Sequence, residues 1–317
     1  MQQVANPPLD SVPPRRSGRS GLRIPVLTLS LGRGSHRSYV DLQTLVRTAI
    51  SLGVSSFDIT SPSHDRGDLF TEVGRAFAPW DRRRAEMVVS ARIGQGTYPR
   101  AIHGHGSRQQ LLPGLDSLLR RSSLTYVDVL YLHRTDPDTP LEEAVGALAD
   151  VVRQGKALYV GFSAVSPTVL RRAQALLTEY DTPAVGCQFS YSLLDRWAEQ
   201  SMLVACREQQ LGVIACAPLA HGALTPLGQG SSPVRRALLK ALDYVAAPRS
   251  QSVEQMALSW ALRDPNVASA LVSTSDPEHL TQHHEATHQT DFSATVLAAI
   301  DDRCPPPAPP TVRCSST

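Results

Sequence analysis

The stretch from Leu124 to Ser163, LTYVDVLYLHRTDPDTPLEEAVGALADVVRQGKALYVGFS, admits few folds. Val127 to Leu132 is an apolar, β-branched run that ends at His133. Thr139, Pro140 and Glu142 then make a helix start: Thr139 can cap the first N–H groups, Pro140 suits the first helical position, and Glu142 can reach back. Leu141, Val145, Leu148 and Val152 recur at helical spacing and give one apolar face, which Gly155 ends. Leu158 to Phe162 is a second buried strand. Strand, covering helix and strand in this order imply parallel pairing with a right-handed crossover. His133 therefore sits where a buried strand gives way to a polar loop. In barrels and open sheets of such units, ligands bind at the carboxyl ends of the strands. A histidine there is either packed at the strand end or turned toward a ligand.

The same alternation continues on both sides. A helix over 41–52 shows Leu42, Leu45, Val46 and Ile50 on one face and stops at Gly53. A short strand, 56–59, ends near Asp58, and a polar loop with Ser63 and His64 follows. A helix is expected from about Asp68 to Phe77, then the strand Met87 to Ile93 with Arg92 near its end. Further strands are expected over 184–189, 213–217 and 268–273. Helices open at Ser166-Pro167, at the Ser252–Gln255 capping-box spacing and at Asp276-Pro277. Residues 224–233 read as a Gly/Ser/Pro loop. About eight strands alternate with helices after an N-terminal hairpin within 22–31, which predicts a (β/α)8 TIM barrel. An open doubly wound sheet would want a G-x-G-x-x-G loop after an early strand, and none occurs there.

Three segments follow: a disordered leader over 1–19, rich in Pro, Arg and Ser; the barrel over 20–303; and a disordered Pro-rich tail over 304–317. At 317 residues and 42% hydrophobic content the chain buries a large core. A net charge of +2 argues against a dedicated nucleic-acid or membrane-surface role. No apolar run is long enough for a bilayer, and the first residues lack a signal core. The cysteines, Cys187, Cys206, Cys216, Cys304 and Cys314, are odd in number and lack zinc spacing, as free thiols of a reducing cytoplasm would be. His103 and His105 have a His-x-His look without a third ligand, so no metal site is expected.

Several ordered segments carry a family resemblance. They are GRSGLRIPVLTLSLG (18–32), FDIT (57–60), YVDVLYLHRTDPDTPLEE (126–143) and GKALYVGFS (155–163). Gln188 with YSLLDRWAE (191–199), PLAHGALT (218–225) and MALSWALRDP (256–265) complete the set. Together they resemble the aldo-keto reductases over about residues 18–301, in the branch of potassium-channel β subunits and bacterial glyceraldehyde-phosphate-type reductases. The resemblance implies a barrel that binds NADP(H) and reduces a small-molecule carbonyl with an Asp, a Tyr, a Lys and a His. The Tyr phenol donates a proton, the Lys paired with the Asp lowers that phenol's pKa, and the His orients the substrate.

Carried over residue by residue, the tetrad is degenerate. Asp58 and His133 match, but Ser63 stands at the Tyr position and Arg92 at the Lys position. At the cofactor positions, Ser163 is followed by Ala164 where the family has Asn, Gln188 is kept, and Cys216 replaces the stacking aromatic. Leu219 follows in the Pro-Leu turn. Ser273, Ser275, His279 and His283 occupy the positions where the family shows Gly, a basic or polar phosphate contact, Gln and Asn. Three functions fit these residues. One is a reductase with a substitute acid, for which His64, one residue past the Tyr position, is the candidate. Another is a non-redox dehydratase, cyclase or isomerase using Asp58, Arg92 and His133 for acid–base work. The third is a non-catalytic protein that senses the cofactor. The substrate and the oligomeric state are not legible.

Overall fold

Eight parallel strands close on themselves in the computed structural model, which describes residues 12–32, 39–60, 69–93, 106–136, 138–226 and 232–307. A two-residue pair, β1 (Arg15–Arg16) and β2 (Arg23–Ile24), forms the antiparallel N-terminal hairpin. The barrel strands are β3 (Leu27–Ser30), β4 (Ser56–Thr60), β5 (Val88–Ile93), β6 (Val127–His133), β7 (Ala157–Ser163), β8 (Gly186–Ser190), β9 (Gly212–Cys216) and β10 (Val267–Val272). Each pairs with the next in sequence, and β10 pairs back onto β3 through Ala270 and Leu27. The α-helices among the described residues are α1 (Tyr39–Ser51), α2 (Leu69–Phe77), α3 (Arg108–Ser122), α4 (Leu141–Arg153), α5 (Pro167–Glu179), α6 (Met202–Glu208), α7 (Pro233–Ala246), α8 (Val253–Ala261), α9 (Pro277–Ala286) and α10 (Ala294–Asp301). The expected (β/α)8 barrel is thus the observed architecture. No helix among the described residues is long and apolar enough to cross a membrane.

Two apolar layers follow from the period of two along each strand. Residues such as Phe57, Ile59, Leu130 and Leu132 face out and pack beneath the helices. A smaller cluster of Leu22, Ile24, Val129, Tyr131, Ile214 and Leu271 fills the barrel interior. Tyr131 fits because β7 offers Gly161 beside it, where a Cβ would lie 2.5 Å from the ring. The polar groups sit above this plug, at the carboxyl ends.

The hairpin departs from the expected boundary. Residues 12–19 were assigned to a disordered leader, yet β1 lies within them and pairs with β2. Arg15 donates to the carbonyls of Leu262 (2.7 Å) and Val267 (2.8 Å), and buried Ser17 donates to Val185 O at 2.8 Å. Gly18 has φ +56 and approaches the Gln210 carbonyl so closely that a Cβ would lie 2.0 Å away. A Pro- and Arg-rich composition suggests a solvated arm, but these groups are held by backbone acceptors at the closed end of the barrel. Residues 27–30, expected within the hairpin, form the first barrel strand instead.

Other boundaries also move. Cys304, placed by its sequence in a mobile tail, is buried, and Arg196 holds its carbonyl at 2.8 Å. Pro140 rather than Thr139 takes the cap position of α4, with no side-chain cap bond. The capping box of Ser252 and Gln255 is present at α8. α7 was hidden behind the Gly/Ser/Pro run: it buries only Leu239, Leu242, Val245 and Ala246, and leaves Val234 and Tyr244 in solvent. The tail from residue 308 lies outside the described residues.

Candidate active site

Parallel register brings the inward polar residues of adjacent strands to one level. Asp58 on β4 stands opposite Ser90 on β5, and Thr60 opposite Arg92. His133 on β6 is level with Ser163 on β7, which is level with Gln188 on β8. The strand ends are tied together by the residue that follows: Leu31 donates to Asp58 O (2.8 Å), Arg134 to Ser163 O (3.0 Å), Ala164 to Gln188 O (3.2 Å) and Tyr191 to Cys216 O (3.0 Å).

Asp58 is completely buried and fully bonded. Its Oδ1 accepts from Ser90 Oγ (2.8 Å) and Gln188 Nε2 (3.1 Å). Its Oδ2 accepts from Thr60 Oγ1 (2.7 Å) and Arg92 Nε (3.1 Å). Arg92 Nη2 is 3.0 Å from the same oxygen and also donates to Thr60 Oγ1. Burial by itself pushes the Asp58 carboxyl up. The Arg92 charge and the bonds from Thr60, Gln188 and Ser90 outweigh that and hold it below its ordinary value. Burial would favour the neutral form of Arg92, but the facing Asp58 carboxylate keeps it charged.

His133 lies at the end of β6 with Nδ1 3.2 Å from Ser163 Oγ. A cavity of about 320 Å³ opens beside these strand ends, bounded by Ser30, Arg92, Cys216, Leu219, His221 and Ser273. Burial pushes the Cys216 thiol up to about 12, against the opposing pull of Arg92 and with the help of Asp58. The thiol therefore holds its proton. Volume does not choose the site: a cleft of about 500 Å³ beside Phe77, Arg84 and Arg121 contains none of the candidate residues.

Of the other residues singled out by sequence, Leu219 and Ser273 border this cavity. Ser275 and His279 are exposed near the start of α9. The first turn of α9 is already capped, because Asp276 Oδ1 accepts from Glu278 N at 2.8 Å. His283 is buried, with Nε2 2.6 Å from Glu254 Oε1 of α8 and Nδ1 without a hydrogen-bond partner among the described residues. Ser63, His64, His103 and His105 lie outside the described residues. Among the described residues, no group of three or more His, Cys, Asp or Glu is arranged for a metal ion.

Sequence reasoning missed Thr60, Ser90 and His221. Thr60 and Ser90 complete the coordination of Asp58, and counting inward positions by twos along β4 and β5 would have found them. His221 borders the cavity from a left-handed backbone position, φ +54, one of several non-glycine residues of that kind in the turn after β9. Such strain clusters at functional sites.

Comparison with known proteins agrees with the barrel fold. Residues 28–303 match the aldo/keto reductase family. The chain is 37% identical over 320 residues to an L-glyceraldehyde 3-phosphate reductase of Escherichia coli strain K12, covering 90% of this chain and 91% of that one. It is 28% identical over 321 residues to a putative voltage-gated potassium channel subunit beta of Schizosaccharomyces pombe, covering 92% and 93%.

Proposed function

The protein belongs to the aldo/keto reductase family, and on that premise we propose that it is an NADP(H)-dependent carbonyl reductase with an altered proton-donating site. The observation that carries this reading is the Asp58–Arg92 pair beside a cavity at the carboxyl ends of the strands. The pair stands where the family's Asp–Lys pair is expected. The reductase named for the Escherichia coli relative acts on a small phosphorylated aldehyde, which supports a small carbonyl substrate here.

The residues present fit a nicotinamide cofactor. Gln188 Oε1 is a buried oxygen with no hydrogen-bond partner among the described residues, on a strand position level with Ser163. An acceptor in that position suits the amide N–H of a carboxamide, because an unbonded buried oxygen is costly. Ser163, Gln188, Cys216 and Leu219 would hold the nicotinamide end, and Ser273, Ser275 and His279 the phosphate end, while buried His283 is engaged by Glu254. The bound cofactor supplies the hydride. His133, braced by Ser163, orients the carbonyl oxygen. Arg92 supplies fixed positive charge beside it while Asp58 holds the guanidinium in place. The proton comes from elsewhere: a serine hydroxyl at Ser63 is a weak acid, and the imidazole of His64 is the candidate donor. Cys216, with its thiol pushed up to about 12, does not compete as a donor.

The bonding of Asp58 weighs against non-redox chemistry in which that carboxylate is the base. A carboxylate has about four acceptor positions, and Asp58 fills four of them with Ser90, Gln188, Thr60 and Arg92. No position is left to collect a proton. The reading is tested by titrating the protein with NADPH and NADH, following nucleotide fluorescence, and then supplying a panel of aldehydes. NADPH binding with turnover is expected. Binding without turnover would move the assignment to cofactor sensing. Absence of binding at millimolar nucleotide would overturn hydride chemistry.

A further inference from the structure

Cations at the open end of the barrel are mostly committed. Arg92 is taken up by Asp58 and Thr60. Arg235 donates to the carbonyls of Gly222 (2.7 Å), Ala223 (3.1 Å) and Thr225 (2.9 Å), and so pins the turn that borders the cavity. Arg134 is different. Its side chain is exposed and has no hydrogen-bond, ion-pair or ring partner among the described residues. It directly follows His133, the candidate orienting residue.

The backbone explains its exposure. Had β6 continued, the period of two would send residue 134 to the helix-covered side, where an unpaired charge is not tolerated. Arg134 instead adopts φ +67, a left-handed conformation unfavourable for a residue with a Cβ. Its N–H is tied to Ser163 O at 3.0 Å. The adjoining Gly106, itself at φ +78, leaves room: a Cβ there would stand 3.2 Å from the Arg134 carbonyl. The turn thus breaks the strand at the residue after His133 and leaves the Arg134 side chain exposed beyond the carboxyl end of β6.

We propose that Arg134 is a specificity-determining residue that recognises an anionic substituent, a phosphate or a carboxylate, on the carbonyl substrate. The inference rests on the reductase reading for its substrate but not for its anion site. Guanidinium is the side chain best shaped to take two oxygens of such a group at once. His133 and Arg134, adjacent in sequence, would then address the two ends of a short substrate: the carbonyl oxygen and the anion.

The test is calorimetric titration of the wild-type protein and Arg134→Gln with glycerol 3-phosphate, glycerate and glycerol, none of which is an aldehyde. Wild type should bind one of the anions at least roughly tenfold tighter than glycerol, and Arg134→Gln should lose that preference. Preference for glycerol 3-phosphate assigns phosphate, and preference for glycerate assigns carboxylate. In steady-state assays, KM for glyceraldehyde 3-phosphate should rise in Arg134→Gln while KM for glyceraldehyde holds. Equal binding of all three ligands to wild type, or an unchanged preference in the variant, would overturn the proposal. So would a loss of NADPH affinity in Arg134→Gln, which would assign the guanidinium to the cofactor. Arginine-dependent anion binding without reduction of either aldehyde would leave the anion site standing and remove the reductase reading instead.

Discussion

Arg92 turns two nitrogens onto a single oxygen of Asp58, with Nε at 3.1 Å and Nη2 at 3.0 Å from Oδ2. The other oxygen is left for Ser90 and Gln188, so one carboxylate ties together β4, β5 and β8. A pair of this kind adds little net stability relative to apolar residues, but loss of one partner strands the other. Asp58→Ala should therefore cost about 3–5 kcal/mol in urea unfolding. The pH dependence has a definite sign. The folded carboxyl lies below its ordinary value. Its contribution is thus complete above the unfolded value of about 4 and fades as pH falls through the lower folded value. The stability gap between wild type and Asp58→Asn should be constant from neutral pH to about pH 4 and narrow below it. A gap that widened on acidification would contradict the charged assignment.

Cys216 stands at the cavity wall, yet it should be slow to alkylate. Burial, only partly opposed by Arg92, pushes its thiol up to about 12. At pH 8 about one part in ten thousand is then thiolate, against about one quarter for a free cysteine. Iodoacetamide labelling followed by peptide mass spectrometry should show Cys216 roughly a thousandfold slower than a free-thiol standard. Arg92→Gln removes the group that opposes the burial effect, so it should not speed the reaction. Rapid, Arg92-dependent labelling would mean that a stabilised thiolate exists in the cavity.

Glu254 and His283 make the second buried polar contact that matters for the candidate cofactor region, joining α8 to α9 at 2.6 Å. The capping box of Ser252 and Gln255 fixes the first turn of α8 and with it the position of Glu254. Glu254→Ala leaves the imidazole without its acceptor, for a loss of about 1–3 kcal/mol. Glu254→Gln keeps an oxygen there and should lose less than half as much. Equal losses from the two substitutions, measured by urea unfolding, would show that the contact is packing rather than hydrogen bonding.

Legibility in the sequence varied with the kind of signal. The positions of Asp58, Arg92 and His133 near the carboxyl ends of strands could be read because each lies in or after an apolar run that leads into a polar loop. The barrel followed from the same alternation. Thr60 and Ser90 could not be read in that way. Counting by twos from Asp58 and Arg92 places both hydroxyls on the inward face, but that they meet the Asp58 carboxylate depends on register with the neighbouring strand. Arg15, Ser17 and Cys304 were misjudged because composition speaks of solvent, whereas acceptors from distant segments hold these groups. Arg134 stood in plain view beside His133, but its exposure is a property of the left-handed turn that ends β6.

Restoring the family's proton donor tests whether the parental geometry survives. Ser63 takes the Tyr position in the proposed carry-over from the family, and a phenol of pKa about 10 is a far better acid than an aliphatic hydroxyl. Arg92 takes the Lys position in the same carry-over, and its fork spans both Asp58 and Thr60. A lysine could reach the carboxylate with one ammonium but would give up the planar bidentate fit. Arg92→Lys alone should therefore lose stability, by about 1–2 kcal/mol, and gain no activity. Ser63→Tyr alone should gain a little, because the Arg92 charge still favours phenolate. The double substitution should raise kcat for carbonyl reduction by about tenfold or more, the scale of a positioned general acid. The readout is NADPH oxidation with an aldehyde panel, with NADPH affinity measured in parallel. If the double variant binds NADPH as wild type does and shows no rise, the phenol is not delivered to the carbonyl, and the loop after β4 has diverged from the parental arrangement.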